Sequence, residues 1–99
     1  MPRTNVIELD GSSWQTKEDF YLALLSALGA PEWHGHNLDA MEETLRGGDI
    51  NRVNPPLSIT FFGSQEMGAE AIVTARRFID LCDDLANDGV PIDAAMAVG

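Results

Sequence analysis

The chain has 99 residues, of which 16 are acidic and 6 are Lys or Arg, so its formal net charge at pH 7 is −10. This balance argues against nucleic acid and anionic membranes as partners, because binding phosphate groups requires clustered cations, and it favours a cationic partner. The hydrophobic fraction of 44% is typical of a globular protein. We therefore expect the chain to fold and not to be a disordered acidic tail.

Strands and helices alternate along the first part of the chain. The run Asn5–Asp10 is rich in β-formers and ends before Gly11, which predicts a first strand. Thr16, with Asp19 three residues later, is typical of a capping box, and apolar residues recur at helical spacing after it. We expect this first helix to end at Gly29, because glycine readily adopts the left-handed conformation common at helix ends.

A second, shorter helix is expected after a loop at residues 31–35. Asn37 is typical of a helix N-cap, and Gly47 with Gly48 marks the end of the helix. Three apolar residues share one face of this helix: Leu38, Met41 and Leu45. The polar segment 49–56, which contains two consecutive prolines, is expected to be an exposed connection.

Two further strands flank a long helical segment in the second half. The run Leu57–Phe62 lies between Pro56 and Gly63 and predicts a second strand. Residues 65–87 carry apolar side chains at three- and four-residue spacing, which predicts one long helix or two consecutive helices. The Ala-rich run 92–98 predicts a third strand of weaker β-propensity.

Strands separated by helices favour a parallel sheet with right-handed crossovers. We therefore expect residues 1–99 to form a single α/β domain, with a three-stranded parallel sheet and helices packed against it. The single cysteine, Cys82, cannot form an internal disulfide, and the first residues lack the apolar core of a signal peptide. We expect a cytoplasmic protein that is monomeric when free.

Ten of the sixteen acids are concentrated in two stretches, residues 32–49 and 80–93, where Arg46 is the single cation. On the predicted second helix, Asp39 and Glu43 are four residues apart and share a face. Their mutual repulsion would be relieved by a cationic partner. The alternative is a solvated helix face on which Asp39 benefits from the positive end of the helix dipole.

Signatures of catalysis and metal binding are weak in this sequence. His34 and His36, with Glu32 and Asp39 nearby, are competent metal ligands, but two loop histidines are more often partly exposed polar groups that modulate a charged contact. Cys82 falls on an apolar helical stripe, which indicates a buried structural thiol. The sequence has no phosphate loop and no nucleophile elbow. We expect no enzyme activity, no metal and no cofactor.

The two tryptophans have different expected roles. Trp14 precedes the first helix and is expected to pack in the core. Trp33 lies in the loop before the acidic helix, where an aromatic residue either anchors the edge of a core or forms an interface hot spot. The sequence position alone favours neither role for Trp33.

Residues 30–40 read Ala-Pro-Glu-Trp-His-Gly-His-Asn-Leu-Asp-Ala and resemble the signature of the barstar family. The resemblance continues through the second strand and the long helix to Gly89, so it covers nearly the whole chain. It implies a three-stranded parallel sheet with packed helices. It also implies an intracellular inhibitor that plugs the active site of a basic ribonuclease, with carboxylates in the place of substrate phosphates.

The resemblance also implies a set of partner-binding residues. Glu43 matches the principal acid of the family and Asp39 the second. The other matching positions are Trp33, Asn37, Gly47 and Asp84. Three positions depart from the prototype: Glu42 and Gly48 replace tryptophans, and Arg46 places a cation at the edge of the expected interface. We include Glu42 and Arg46 among the expected contact residues.

These departures leave a second hypothesis open. The chain could be a barstar-like adaptor that binds another basic protein or toxin without inhibiting any ribonuclease. A third hypothesis, an enzyme that uses His34, His36 and the nearby acids, is disfavoured by the missing catalytic signatures.

Overall fold

A computed structural model describes residues 4–47 and 50–97. They form a parallel sheet with helices, as the sequence and the resemblance predicted. Gly48, Asp49 and Val98, which entered those predictions, lie outside the described residues. The elements in chain order are β1 (Asn5–Asp10), α1 (Lys17–Leu28), α2 (Leu38–Gly47), β2 (Leu57–Phe62), the 3₁₀ turn Ser64–Glu66, α3 (Ala69–Asn87) and β3 (Ile92–Met96).

The three strands run parallel in the order β1-β2-β3, so β3 is an edge strand. Alternate residues of β2 are buried, namely Leu57, Ile59 and Phe61. This alternation shows that the helices cover one face of the sheet, as two successive right-handed crossovers require. The opposite face is open: Val6 and Phe62 expose 67% and 39% of their surface there.

Helix α1 begins and ends as predicted. The Thr16 hydroxyl accepts a hydrogen bond from the Asp19 backbone N–H, and the Asp19 carboxylate accepts from the Thr16 N–H in return. Gly29 closes the helix with a φ of 65°, in the left-handed region. The apolar face contributes fully buried side chains, among them Phe20 and Leu24, to the core over the sheet.

The segment 65–87 divides into the short turn Ser64–Glu66 and the long helix α3, which corresponds to the two-piece alternative. The break lies at Gly68, whose backbone N–H donates to the carbonyl of Trp14. A Cβ atom at this position would lie 2.5 Å from the Gln15 carbonyl oxygen, so the close backbone approach requires glycine.

The connection after α2 was predicted to be exposed, and for its described residues this prediction is partly wrong. Asn51 is only 5% exposed. The next two residues lie across the end of α1, where the Arg52 N–H donates to the Gly29 carbonyl and the Val53 N–H to the Leu28 carbonyl. This part of the connection lies against α1 because its N–H groups donate to carbonyl groups at the helix end, although the Arg52 side chain remains exposed.

Candidate functional site

Helix α2 is held in place by its cap and by its apolar face. The Asn37 side-chain oxygen accepts a hydrogen bond of 2.8 Å from the Ala40 N–H, so Asn37 is the predicted N-cap. Met41 and Leu45 are 0% and 1% exposed and anchor the helix over the core. The opposite side of α2 therefore faces solvent.

Asp39 and Glu43 lie on this solvent-exposed side of α2. Residues four apart in a helix are neighbours, so the two carboxylates stand one turn apart. Within residues 4–47 and 50–97, neither side chain forms a salt bridge or a hydrogen bond. Both carboxylates are therefore available to an external cation.

Glu42 and Arg46 are engaged with each other and with α3. The Arg46 guanidinium contacts the Glu42 carboxylate at 3.1 Å and the Asp88 carboxylate at 2.7 Å. The hydrogen bond to Asp88, followed by that to Glu42, raises the pKa of Arg46. Asp88 was not predicted as a site residue, because nothing local to position 88 indicates a partner 42 residues away.

The ion pair places the end of α3 beside α2. Asp84 is exposed and lies one helical turn before Asp88, on the same side of α3. We use the term acidic face for the surface formed by five carboxylates of α2, α3 and the residue that follows α3, namely Asp39, Glu42, Glu43, Asp84 and Asp88. Gly47, the last residue of α2, is exposed next to Arg46.

Trp33 is 74% exposed, in the loop that leads into α2. Trp14, in contrast, is 6% exposed and packs edge-to-face on Phe20 and Phe61. Tryptophan is enriched among the residues that carry most of the binding energy of interfaces, so this exposed indole is a candidate contact residue. Of the two roles that the sequence left open for Trp33, the core anchor is excluded.

The loop before α2 is fixed by His34, which is 3% exposed. Its Nδ1 lies 2.7 Å from the Gly35 carbonyl oxygen and its Nε2 lies 3.0 Å from the Thr44 hydroxyl. Because a carbonyl only accepts, Nδ1 carries the proton. The Thr44 hydroxyl also lies 3.2 Å from the carbonyl oxygens of Ala40 and Met41, so it links the His34 ring to the backbone of α2. The expectation of a partly exposed His34 was wrong, since the ring ties the loop to α2.

Comparison with known proteins agrees with this architecture. The family model described as Barstar (barnase inhibitor) matches residues 4–97. The chain belongs to the barstar family. A search of curated proteins found no match. Barstar-family members are inhibitors rather than enzymes, and the family description names barnase as the protein inhibited.

The second loop histidine of this barstar-family chain, His36, points to α1. It is exposed, pairs with the Glu18 carboxylate and stacks on the Tyr21 ring with a centroid distance of 6.4 Å. His34 and His36 therefore turn to different neighbours. Among the described residues, no group of three or more His, Cys, Asp or Glu side chains could hold a metal ion.

Cys82 lies on the apolar face of α3 and is fully buried. Burial, with smaller contributions from Asp83 and Asp93, raises the pKa of its thiol to about 12. The predicted buried structural thiol is therefore confirmed, because a thiol in this state is neutral and poorly nucleophilic at neutral pH.

None of the described helices is long and apolar enough to span a bilayer.

Proposed function

We propose that this barstar-family protein inhibits a basic ribonuclease by covering its active site with α2 and the loop at residues 31–37. The observation that carries the proposal is the pair of exposed, unpaired carboxylates of Asp39 and Glu43. The resemblance places the family's principal acids at the same two positions. Trp33 supplies a large exposed apolar surface beside them.

Inhibition by this route requires no covalent chemistry. The carboxylates of Asp39 and Glu43 would occupy the places of substrate phosphates and accept charge-assisted hydrogen bonds from Arg, Lys and His side chains of the ribonuclease. Such bonds are strong, and with arginine they are often bidentate and therefore geometrically selective. The ribonuclease would remain folded but inaccessible to RNA.

The ion pairs of Arg46 indicate where the cationic groups of the target should lie. Glu42 and Asp88 already share the Arg46 guanidinium, so the carboxylates of the acidic face without an ion-pair partner among the described residues are those of Asp39, Glu43 and Asp84. We infer a target with its cationic groups opposite these three residues. Barnase–barstar association is the reference case for electrostatic steering, so we expect fast binding that slows with added salt.

The proposal is tested by mixing the protein with barnase and with other small basic ribonucleases, and by measuring complex formation and residual RNA cleavage. Glu43→Gln and Asp39→Asn remove the charge and preserve the shape of each side chain. Glu66→Gln is the matched control, because Glu66 is exposed in the turn after β2, outside the acidic face.

We expect each acidic-face variant to weaken inhibition of a bound ribonuclease by about tenfold or more, and the control to change it by less than about twofold. Equal losses in all three variants would show that net charge rather than the acidic face drives binding. If no ribonuclease of this class is bound, the proposal is wrong.

The adaptor hypothesis also has a specific observation in its favour. Where the family prototype has a tryptophan, this chain has Glu42, and its carboxylate is held by Arg46. The face therefore lacks one apolar contact and suits a different basic protein. Capture of partners from the source cell, followed by a ribonuclease assay of each purified partner, distinguishes an inhibitor from an adaptor.

We further propose that the free protein is a cytoplasmic monomer. For the monomeric state, the burial of Cys82 argues against a disulfide-linked dimer, since Cys82 is the one cysteine of the chain. Sedimentation at several concentrations tests the monomeric state, and a concentration-dependent increase in mass would contradict it.

A further inference from the structure

The loop before α2 carries Trp33 in a hydrogen-bonded turn. The His34 backbone N–H donates to the Pro31 carbonyl at 3.0 Å, so residues 31–34 form a β-turn with Trp33 as its third residue. Trp33 is exposed, whereas His34, the last residue of the turn, is buried. The place of Trp33 on the surface therefore depends on how His34 is held.

His34 is held by a threonine of α2. Its Nε2 lies 3.0 Å from the Thr44 hydroxyl, and the two residues are 3% and 4% exposed. Thr44 directly follows Glu43 in the sequence and lies on the buried side of the helix. Removing one partner of a buried hydrogen bond is costly, because water does not replace it. The contact therefore fixes the turn to the helix that carries the exposed carboxylates.

The proton of the Thr44 hydroxyl has a defined place in either charge state of His34. In a neutral ring, the Nδ1–H donates to the Gly35 carbonyl, so Nε2 accepts from Thr44. In a protonated ring, Nε2–H donates to the Thr44 oxygen, and the hydroxyl proton turns to the carbonyl of Ala40 or Met41, each 3.2 Å away. The link to α2 needs the hydroxyl in both states.

The end of the loop is attached by other contacts. His36 pairs with the Glu18 carboxylate and stacks on Tyr21 of α1, and Asn37 caps the start of α2. These contacts hold the residues after Gly35, whereas the contact between the ring and the hydroxyl holds the turn before it. A change at the hydroxyl should therefore act on the turn.

We propose that the contact between His34 and Thr44 positions Trp33 for binding. It presets the turn relative to the carboxylates of Asp39 and Glu43 before a partner arrives. Both residues of the contact are buried, so they act by positioning and not by touching the partner. A surface that is already ordered in the free protein loses less conformational entropy on binding. The inference rests on the proposed inhibition of a ribonuclease and adds to it a binding role for two buried residues.

Three threonine variants test this role. Thr44→Val removes the hydroxyl and keeps the shape of the side chain, whereas Thr44→Ser keeps the hydroxyl and removes the methyl group. Thr74→Val is the matched control, because Thr74 is a buried threonine of α3 whose hydroxyl donates to the Glu70 carbonyl of its own helix at 2.9 Å. A role in packing alone would make the Ser variant the more disturbed of the first two, and a positioning role the Val variant.

The first measurement uses the free protein, so its outcome does not depend on any ribonuclease. Amide hydrogen exchange, followed by NMR, reports the opening of the turn at the His34 N–H. We expect Thr44→Val to accelerate exchange there about fivefold relative to the amides of α1 and α3, the effect of losing one hydrogen bond. Thr44→Ser and Thr74→Val should leave this ratio within about twofold of wild type. An unchanged ratio in Thr44→Val would overturn the proposal.

The second measurement links the contact to Trp33. With barnase or another ribonuclease that the protein binds, Thr44→Val should weaken affinity about fivefold and Thr44→Ser by less than about twofold. In a Trp33→Ala background, Thr44→Val should weaken affinity by less than about twofold, because the side chain that the contact positions is gone. Equal weakening in both backgrounds would show that the contact acts independently of Trp33, and would overturn the proposal.

The two measurements distinguish this inference from the proposed function. An unchanged exchange ratio contradicts the inference and leaves ribonuclease inhibition in place. If no ribonuclease is bound, the proposed function is wrong, and the exchange measurement alone decides whether the contact orders the turn.

Discussion

The two tryptophans of the chain lie in regions of opposite character. Around Trp14, aromatic rings close the core between α1 and the sheet, and the indole is 6% exposed. Around Trp33, the loop and α2 present an indole that is 74% exposed next to unpaired carboxylates. One region therefore serves folding, whereas the other leaves an apolar surface exposed that only another molecule can bury.

The largest effect is expected in the core region. Trp14→Ala should lower the free energy of unfolding by about 3–5 kcal/mol, because it leaves a cavity among Phe20 and Phe61. Urea denaturation monitored by circular dichroism measures the change. A loss below about 1 kcal/mol would contradict the assignment of this region to the core.

The exposed indole should behave in the opposite way. Trp33→Ala is expected to change the free energy of unfolding by less than about 0.5 kcal/mol. The same variant should weaken binding to a ribonuclease that the protein is found to inhibit by about 2 kcal/mol or more, as truncation of a hot-spot tryptophan does. Calorimetric titration gives the free energy of binding, and urea denaturation of the same preparation gives the free energy of unfolding. A loss of stability without a loss of binding would contradict the assignment of Trp33 to binding.

A smaller effect is expected at the end of α2. Arg46→Gln breaks the ion pairs to Glu42 and Asp88, and because all three side chains are substantially exposed, stability should fall by less than about 1 kcal/mol. Two carboxylates are released at the same time, so association with a basic ribonuclease should become faster and more salt-sensitive. Stopped-flow mixing at two salt concentrations measures this, with Arg52→Gln, which removes an exposed cation outside these ion pairs, as a control.

The smallest effect is expected for Asp19, the carboxylate in the capping box of α1. The pKa of Asp19 is lowered mainly by the hydrogen bond from the Gln15 N–H, then by that from Thr16. A lowered pKa in the folded state means that this stabilisation is present above the unfolded-state value near 4 and is lost as the pH falls below it. Asp19→Asn should therefore reduce stability at pH 7 and have less effect at pH 2.5, as measured by urea denaturation. An equal reduction at both pH values would contradict this linkage.

The fold was largely predictable because its signals are local. The capping residues Thr16 and Asn37 and the spacing of apolar side chains determine where helices begin and which face they bury. The bounds of β1 and β2 agree with the predicted runs, and β3 ends at Met96 among the described residues. The order of the strands could not be derived from such signals, because it depends on how distant segments pair.

The candidate site was predictable only where its signals are local in the sequence. The shared face of Asp39 and Glu43 follows from helical spacing, and their importance was implied by the family resemblance. The burial of His34 was missed because it depends on Thr44, ten residues away on the next helix. The contact between Arg46 and Asp88 was missed because it depends on how α2 packs beside α3.

The burial of Cys82 has a practical consequence for handling the molecule. The chain has one cysteine, and its thiol is shielded and neutral at pH 7, so it would react slowly with maleimides. A second cysteine introduced by Val6→Cys, on the helix-free face of the sheet, would be labelled selectively. Tethering through that position would present α2 to the solution, so that partners can be screened on a surface with a uniform orientation.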